Sequence, residues 1–406
     1  MMHTSNCPPP STTGPPTAGA RALTLGVEEE FLLVDRASRT PVGRAAPVIA
    51  DVAPLLGDRV EPEFYTAQVE VHTDPVNNTA DLWRQLAWMR REVARAAADQ
   101  GCLLIAAGTS VVPPTQPLTV ASGRRYREMA LRYPAVLGAR DQAVCGCHIH
   151  VGVDSKAQAL ALANRMSPWL PVLQAIGANS PFDRGADSGH ASRRSIAHSR
   201  WPTVGPAPIL NESEYEVLAT SLVRSGLLLD RKMIYWYARP SEHVPTLEIR
   251  VADTNADLDT VVLLAALVRA LAATFLTEPA DNPPVLPVGL GRIHAAHRLA
   301  AAHGLAGDGI DPHTGTRLPA WTLVDRLRDR TEAALAASGD LPLVDRLLLH
   351  MRAAGDGASR QRAAYRRRGR LSDVVDDLAR RTALCGGPAV ALEPPPTAPD
   401  PLPMSA

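Results

Sequence analysis

The stretch 144–153 reads VCGCHIHVGV and places Cys145, Cys147, His148 and His150 within six residues. Such side chains can hold zinc, but only if they converge on one point. In a strand, successive side chains point to opposite faces. Cys145, Cys147, Ile149, Val151 and Val153 then share one face, and Gly146, His148, His150 and Gly152 share the other. The cysteine face runs on into branched aliphatics and reads as core, where small buried cysteines are common. The histidine face is flanked by glycines, which leave room for a bulky group to approach. A zinc knuckle would need a turn in place of the strand, and no second ligand pair at zinc-finger spacing lies nearby. Taken alone, two satisfied histidines on a solvated sheet face would be an equally good reading.

Three further segments change that balance. In LTLGVEEEFLLVD, Glu28 and Glu30 fall on one face, and Val27, Glu29, Phe31 and Leu33 on the other. In EPEFYTAQVEVHTDPV, Gln68, Glu70 and His72 oppose Val69 and Val71, and Glu63 precedes Glu70 by seven residues. In PTLEIRVADT, Glu248, Arg250 and Ala252 oppose Leu247, Ile249 and Val251. A solvated face would be mixed in Lys, Thr, Ser and Gln; these polar faces are nearly all carboxylate and imidazole. Carboxylates facing each other across strands repel unless cations sit between them. Divalent metal held by Glu28, Glu30, Glu63, Glu70, His148 and Glu248 resolves that conflict. Oxygen ligands with one imidazole suit Mg²⁺ or Mn²⁺ better than structural zinc. So many carboxylates outweigh one ion, which points to two or three ions and a polyphosphate, with Arg250 as the phosphate clamp. The expected chemistry is phosphoryl transfer from a nucleotide held without a P-loop. The sequence has no GxxxxGK[ST] motif, and Lys156 and Lys232 are its only lysines.

The elements that must position these groups follow from pattern. Strands are expected at Thr24 to Asp35, Ala67 to Thr73, Cys102 to Ala107, Val144 to Val153, Met233 to Ala238 and Pro245 to Asp253. Helices are expected at Thr79 to Gln100, from Ser155 onward with Pro168 and Pro171 splitting the run, and at about 213–229, 257–276, 319–337, 341–353 and 371–383. Long helical excursions without a regular βαβ rhythm favour an α+β fold. The stretch 179–206, NSPFDRGADSGHASRRSIAHSRWPTVGP, lacks periodicity and reads as a loop over an active site. Residues 1–20 and 386–406 are rich in proline and small polar residues and read as disordered flanks of a single catalytic domain over 21–385.

Of the 406 residues, 46% are hydrophobic and 21% charged, and the formal net charge is zero. That excludes a nucleic-acid binder working through bulk charge. The apolar run Val261 to Leu276 is short for a bilayer span and contains Arg269, so it reads as a buried helix and no membrane association is expected. The five scattered cysteines suggest a reducing, cytoplasmic setting. Oligomeric state, a homo-oligomer included, stays open.

GVEEEF, CGCHIHVGV, ANSPF…SGHASRRS…WPTVGP and RPSEHVPTLEIRVADT together resemble the bacterial carboxylate–amine ligase family, also called glutamate–cysteine ligase type 2. The resemblance covers roughly Leu23 to Asn255 well and the C-terminal third more loosely. It implies a glutamine synthetase-like fold: an antiparallel sheet curled into a funnel, with helices packed outside. It implies ATP as co-substrate and metal ligands at Glu28, Glu30, Glu63, Glu70, His148 and Glu248. His150 would sit nearer substrate or nucleotide, Arg250 would contact the transferred phosphate, and Arg194 and Trp201 would stand around substrate. The implied reaction joins the γ-carboxylate of glutamate to the amino group of cysteine, or of another amine, through an acyl phosphate. Glu63 is a candidate acceptor of the amine's proton. Two departures, Tyr237 in YWYARPS and the loose match of GRIHAAHRLAAAHGL (291–305), motivate an alternative: a nucleotide- and metal-binding homologue without activity. A metal-dependent hydrolase using the same carboxylates is a weaker alternative, since no HExxH-type signature is present.

Overall fold

The computed structural model describes residues 23–137, 143–278 and 288–384. The flanks expected at 1–20 and 386–406 lie outside the described residues, as do Cys7 and Cys385.

The longest strand, β1 (Leu25–Asp35), organises a fully antiparallel sheet. On one side it pairs with β3 (Gln68–His72), beyond which lies the short β2 (Val60–Pro62); its far end pairs on with β4 (Cys102–Ile105). On the other side it pairs with β5 (Gly146–Gly152). A small hairpin, β6 (Phe182–Asp183) and β7 (Ala186–Asp187), interrupts the chain before β8 (Ala238–Pro240) and β9 (Thr246–Asp253) complete the sheet. The strand order is β2-β3-β1-β5-β9-β8, with β4 beside β1.

Register, more than strand identity, makes the site. Glu28 pairs with His148 on one neighbour and His72 on the other; Glu30 pairs with Glu70; His150 pairs with Glu248. Residues directly opposite in an antiparallel ladder share a face, so the polar groups of β1, β3, β5 and β9 are gathered on one side. The other side is apolar and packs on helices, chiefly Thr79–Asp99, Lys156–Met166, Leu170–Ile176, Leu258–Thr277 and Leu371–Leu384. Cys147 is buried on this core side near Glu29 and Arg90, whereas Cys145, also buried, meets Gln68 of the polar side, whose Nε2 lies 3.4 Å from its Sγ; burial pushes both thiols up.

One strand departs from simple alternation. Ile149 pairs with Ile249 but Cys147 pairs with Ala252, so Arg250 and Val251 together stand opposite His148. This bulge corrects the expected face of Ala252. It sits against Gly177 on the core side, where an added Cβ would come within 2.7 Å of it. Arg250 stays on the polar side, and Val251 joins it in lining a small pocket with Arg194, His198 and Tyr237.

Glu29, expected among apolar residues, is fully buried and paired to Arg90 of the helix Thr79–Asp99. Arg90 Nε donates to Glu29 Oε2 at 2.9 Å, and its Nη2 donates to the Asn255 carbonyl at 2.7 Å. That helix starts with Asn78, whose side chain accepts from Asp81 N at 2.8 Å. The helix Leu258–Thr277 is 20 residues long, beyond the apolar run read from sequence, and by length and composition it could cross a membrane. Here 78% of its most apolar 18-residue stretch is buried in the protein, and Arg269 pairs with Asp340.

Two expectations are corrected. The segment Met233 to Ala238 is not a strand: a short 3₁₀ turn, Arg231–Met233, leads into irregular chain, and only Ala238–Pro240 joins the sheet. The stretch 179–206 is more ordered than a plain loop, with the β6–β7 hairpin and the helix Arg193–His198 inside it.

Candidate active site

Glu28 is the hub of the polar face. Its Oε2 lies 2.9 Å from His148 Nδ1 and its Oε1 lies 3.1 Å from His150 Nε2. Burial would raise the Glu28 carboxyl, but hydrogen bonds and charge from the two histidines outweigh it and hold the group well below its ordinary range. His148 Nε2 also lies 3.7 Å from Glu30 Oε1, and its Nδ1 lies 3.7 Å from Glu248 Oε1. His150 turns its Nδ1 to Thr246 Oγ1 at 2.8 Å. The two imidazoles are driven apart electrostatically. Burial and the Arg250 charge lower His148, whereas Glu28 and Glu248 outweigh burial and raise His150.

Glu248 is buried and held by two arginines. Arg239, directly opposite on β8, donates from Nε at 2.7 Å and Nη2 at 3.3 Å, and Arg250 Nη1 donates to Oε1. Burial raises Glu248, but Arg239 and then Arg250 pull it far below the carboxylate range. Arg250 also stands over the Tyr235 ring, 5.7 Å from its centroid, and its buried Nε has no hydrogen-bond partner.

The second acidic pair behaves in the opposite way. Glu63, from the loop after β2, and Glu70, on β3, are joined by a hydrogen bond between their carboxyls. Tyr126 Oη donates to Glu63 Oε2 at 3.2 Å. Burial, then the charge of Glu30, pushes Glu63 up to about 7. Burial, then Glu63, Glu28 and Glu30, pushes Glu70 well above its usual range. Like charges this close cannot both ionise without a cation between them. Glu30 is steadied by the Gly146 amide, which donates to Oε2 at 2.7 Å.

These groups fit a divalent cation. One ligand atom each from Glu28, His150 and Glu248 lie within 4.8 Å of one another. His148 Nε2 is buried without a hydrogen-bond partner, which is costly unless something completes it. The glycine room expected beside the histidines is already used by protein: a Cβ at Gly146 would overlap the Arg194 guanidinium, and one at Gly152 would overlap Thr24.

Arg194 and Trp201 come from the 179–206 stretch. Arg194 is buried beside His148, its amide donating to Ser180 Oγ at 3.0 Å. Ser180 in turn bonds Asp253 at 2.6 Å, as Ser192 does at 2.7 Å. Trp201 forms part of an aromatic array with Phe64, Tyr133 and Tyr235 at centroid distances of 6.1, 5.6 and 6.0 Å. A cavity of about 100 Å³ lies between this array and the acidic groups Glu30 and Glu63, with Arg250 and His198 at its wall. All ten residues singled out from the sequence thus belong to one polar face and its rim. Sequence reasoning missed Arg239, Tyr126, Tyr235 and His198. Only Arg239 had a usable signal, since it lies in the RPS motif just before a carboxylate-bearing strand.

The chain was compared with known proteins. The family model "Glutamate-cysteine ligase family 2" matches residues 24–377. "Putative glutamate--cysteine ligase 2-2" of Mycolicibacterium vanbaalenii is 42% identical over 362 residues, 88% of this chain and 98% of the relative. "Putative glutamate--cysteine ligase 2" of Salinispora tropica is 42% identical over 348 residues, 86% of this chain and 91% of the relative. Among solved structures, glutamate–cysteine ligase of Francisella tularensis in complex with AMP superposes with a TM-score of 0.66 at 13% identity, covering 92% of this chain and 91% of that one. A bifunctional glutathione synthetase from Pasteurella multocida gives 0.67 at 15%, covering 89% and 52%. These likenesses establish the glutamine synthetase-like fold.

Proposed function

The chain belongs to glutamate–cysteine ligase family 2, and from that premise we propose the reaction its acidic face carries out. It is an ATP-dependent carboxylate–amine ligase. In our reading the γ-carboxylate of glutamate attacks the terminal phosphate of ATP, giving an acyl phosphate and ADP. The amine nitrogen of cysteine, or of another acceptor, then attacks the acyl carbon. A C–N bond forms, the C–O bond to phosphate breaks, and one proton leaves the nitrogen.

The observation that carries this reading is the crowding of Glu28, Glu30, Glu63, Glu70 and Glu248 on one buried face, with two of them unable to ionise together. Glu28, Glu30, Glu63, Glu70, His148 and Glu248 would hold two or three Mg²⁺ or Mn²⁺ ions. The close grouping of Glu28, His150 and Glu248 argues for adding His150 to that set. Bound divalent ions supply the positive charge that lets a carboxylate approach a phosphate. The residues themselves do the rest. Arg250, anchored on Glu248 and backed by Tyr235, is placed to clamp a phosphoryl group. Trp201 borders the main cavity, and Arg194 lines the smaller pocket behind Arg250; we assign both to the substrate space. Glu63 stands at the cavity wall as acceptor of the amine's proton. We place the enzyme in the cytoplasm as a single catalytic domain spanning 21–385.

Purified protein with ATP and Mg²⁺ tests this. ADP should form only when glutamate and an amine are both present, and product mass should equal glutamate plus amine minus water. ADP formation without an amine-dependent product, or none with any pair, would refute the ligase reading.

A further inference from the structure

Resting on the ligase reading above, we propose that Asp253 is a positioning residue for the reaction: through the hydroxyls of Ser180 and Ser192 it fixes the helix Arg193–His198, and with it the place of Arg194 in the substrate space. Arg194 needs an anchor of this kind. Its side chain is buried, it forms no ion pair among the described residues, and its Nε has no hydrogen-bond partner. Its position must therefore be set through its backbone. The six-residue helix that carries it is too short to hold its shape without tertiary support.

Asp253 ends β9 and is buried, as Ser180 and Ser192 are. Its Oδ2 accepts from Ser180 Oγ at 2.6 Å and from the Asn179 amide at 2.9 Å, and its Oδ1 accepts from Ser192 Oγ at 2.7 Å. Each hydroxyl has one hydrogen, which goes to the carboxylate, so its lone pairs are free to face the helix. Ser180 Oγ accepts from the Arg194 amide at 3.0 Å, and Ser192 Oγ accepts from the Ser195 amide at 3.3 Å. One carboxylate thus orders the caps of two successive amides, the first of them that of Arg194 itself. Asp253 is packed against Gly108, where an added Cβ would come within 2.7 Å of its Cγ. Burial raises the Asp253 carboxyl, and the Arg194 charge is the largest influence opposing it, so the two groups also interact by charge. On the far side of the helix, the Ser192 amide donates to the Ala301 carbonyl at 2.9 Å. Gln174 Nε2 bridges Ser195 Oγ at 3.2 Å and the His297 carbonyl at 3.1 Å. The segment 291–305, which no step of the reaction uses, thereby joins the same scaffold.

The test measures kcat and two KM values, for glutamate and for ATP, by ADP release from the full chain with Mg²⁺ and cysteine. Arg194→Ala should raise one of the two KM values about twentyfold. Ser180→Ala, Ser192→Ala and Asp253→Asn should each raise that same KM about fivefold, since an asparagine can present an oxygen to only one of the two serines. In the Arg194→Ala background, Ser180→Ala should change it by less than about twofold. A purely structural role would lower the folded fraction, which reduces kcat and leaves KM where it was. A Ser180→Ala effect that persists in full in the double variant, serine variants with both KM values unchanged, or an Arg194→Ala chain with both unchanged would overturn the proposal and leave the ligase reading in place. A parent chain that releases no ADP would instead remove the ligase reading and this proposal with it.

Discussion

Glu63 and Glu70 carry opposite instructions to those of Glu28 and Glu248, although all four are carboxylates on one face. Two have basic partners and stay ionised; the other two have no basic partner, and burial with neighbouring carboxylates raises both, Glu63 to about 7. Metal must displace those protons to bind. With Glu63 at about 7 and Glu70 raised as well, Mg²⁺ affinity should rise as pH increases through 7. Titration calorimetry in two buffers of different ionisation enthalpy should register proton release on binding at pH 6.5, and equal heats in both buffers would contradict this. If Arg250 is the phosphate clamp proposed above, Arg250→Ala should lower kcat at least a hundredfold. Arg250→Lys should recover only part of that loss, because an ammonium cannot hold Glu248 and a phosphoryl oxygen in one plane. Steady-state ADP release reads both. The carboxylate face was legible because strand alternation is strict and its period is short. Arg239 was missed although the RPS motif marks it, since a single arginine after an irregular segment carries no periodicity and its role depends on the pairing of β8 with β9.

Among elements, the strands of the sheet were legible to within one or two residues for β1, β3, β5 and β9. The segment Met233 to Ala238 misled because its aromatic and β-branched residues mimic a strand. Tyr235 instead lines the cavity and backs Arg250, while Tyr237 stacks on His297 at 4.4 Å. The helix Arg124–Arg132 was missed because RRYREMALR is short and dominated by charged residues, which mask the stripe of Tyr126, Met129 and Ala130 that packs against the core. The bulge in β9 left no trace in the pattern, and it is what brings Arg250 and Val251 together opposite His148. Beneath the sheet, Glu29 and Arg90 tie β1 to the helix Thr79–Asp99 in a site closed to water. Arg90→Ala would strand a buried carboxylate, and urea unfolding should register a loss of about 3–5 kcal/mol. A loss under 1 kcal/mol would mean that the helix and β1 do not depend on this pair.

At the scale of the whole molecule, one sheet serves two purposes. Its apolar side, packed on helices, resists relaxation, so its polar side can keep like charges together that would otherwise separate. His297 reports on the packing behind it. Burial, then the charge of His294, lowers it to about 3, against about 6.5 when unfolded. The unfolded chain therefore binds the extra proton first. The contribution of His297 is fully present above pH 6.5 and is lost as pH falls from there toward 3, at about 1.4 kcal/mol per unit. Unfolding free energies at pH 7.0, 6.0 and 5.0 should fall less steeply in His297→Gln than in the parent, and parallel slopes would exclude His297 as the source. The central claim is that the acidic groups which the sheet gathers from β1, β3, β5 and β9 form a site that binds cations between them. Its most direct test is Mn²⁺ binding followed by electron paramagnetic resonance, in the parent chain and in Glu28→Gln. The account predicts at least two Mn²⁺ per chain in the presence of ATP, and the loss of at least one in the variant. Equal occupancy in both proteins, or no binding at millimolar Mn²⁺, would contradict it.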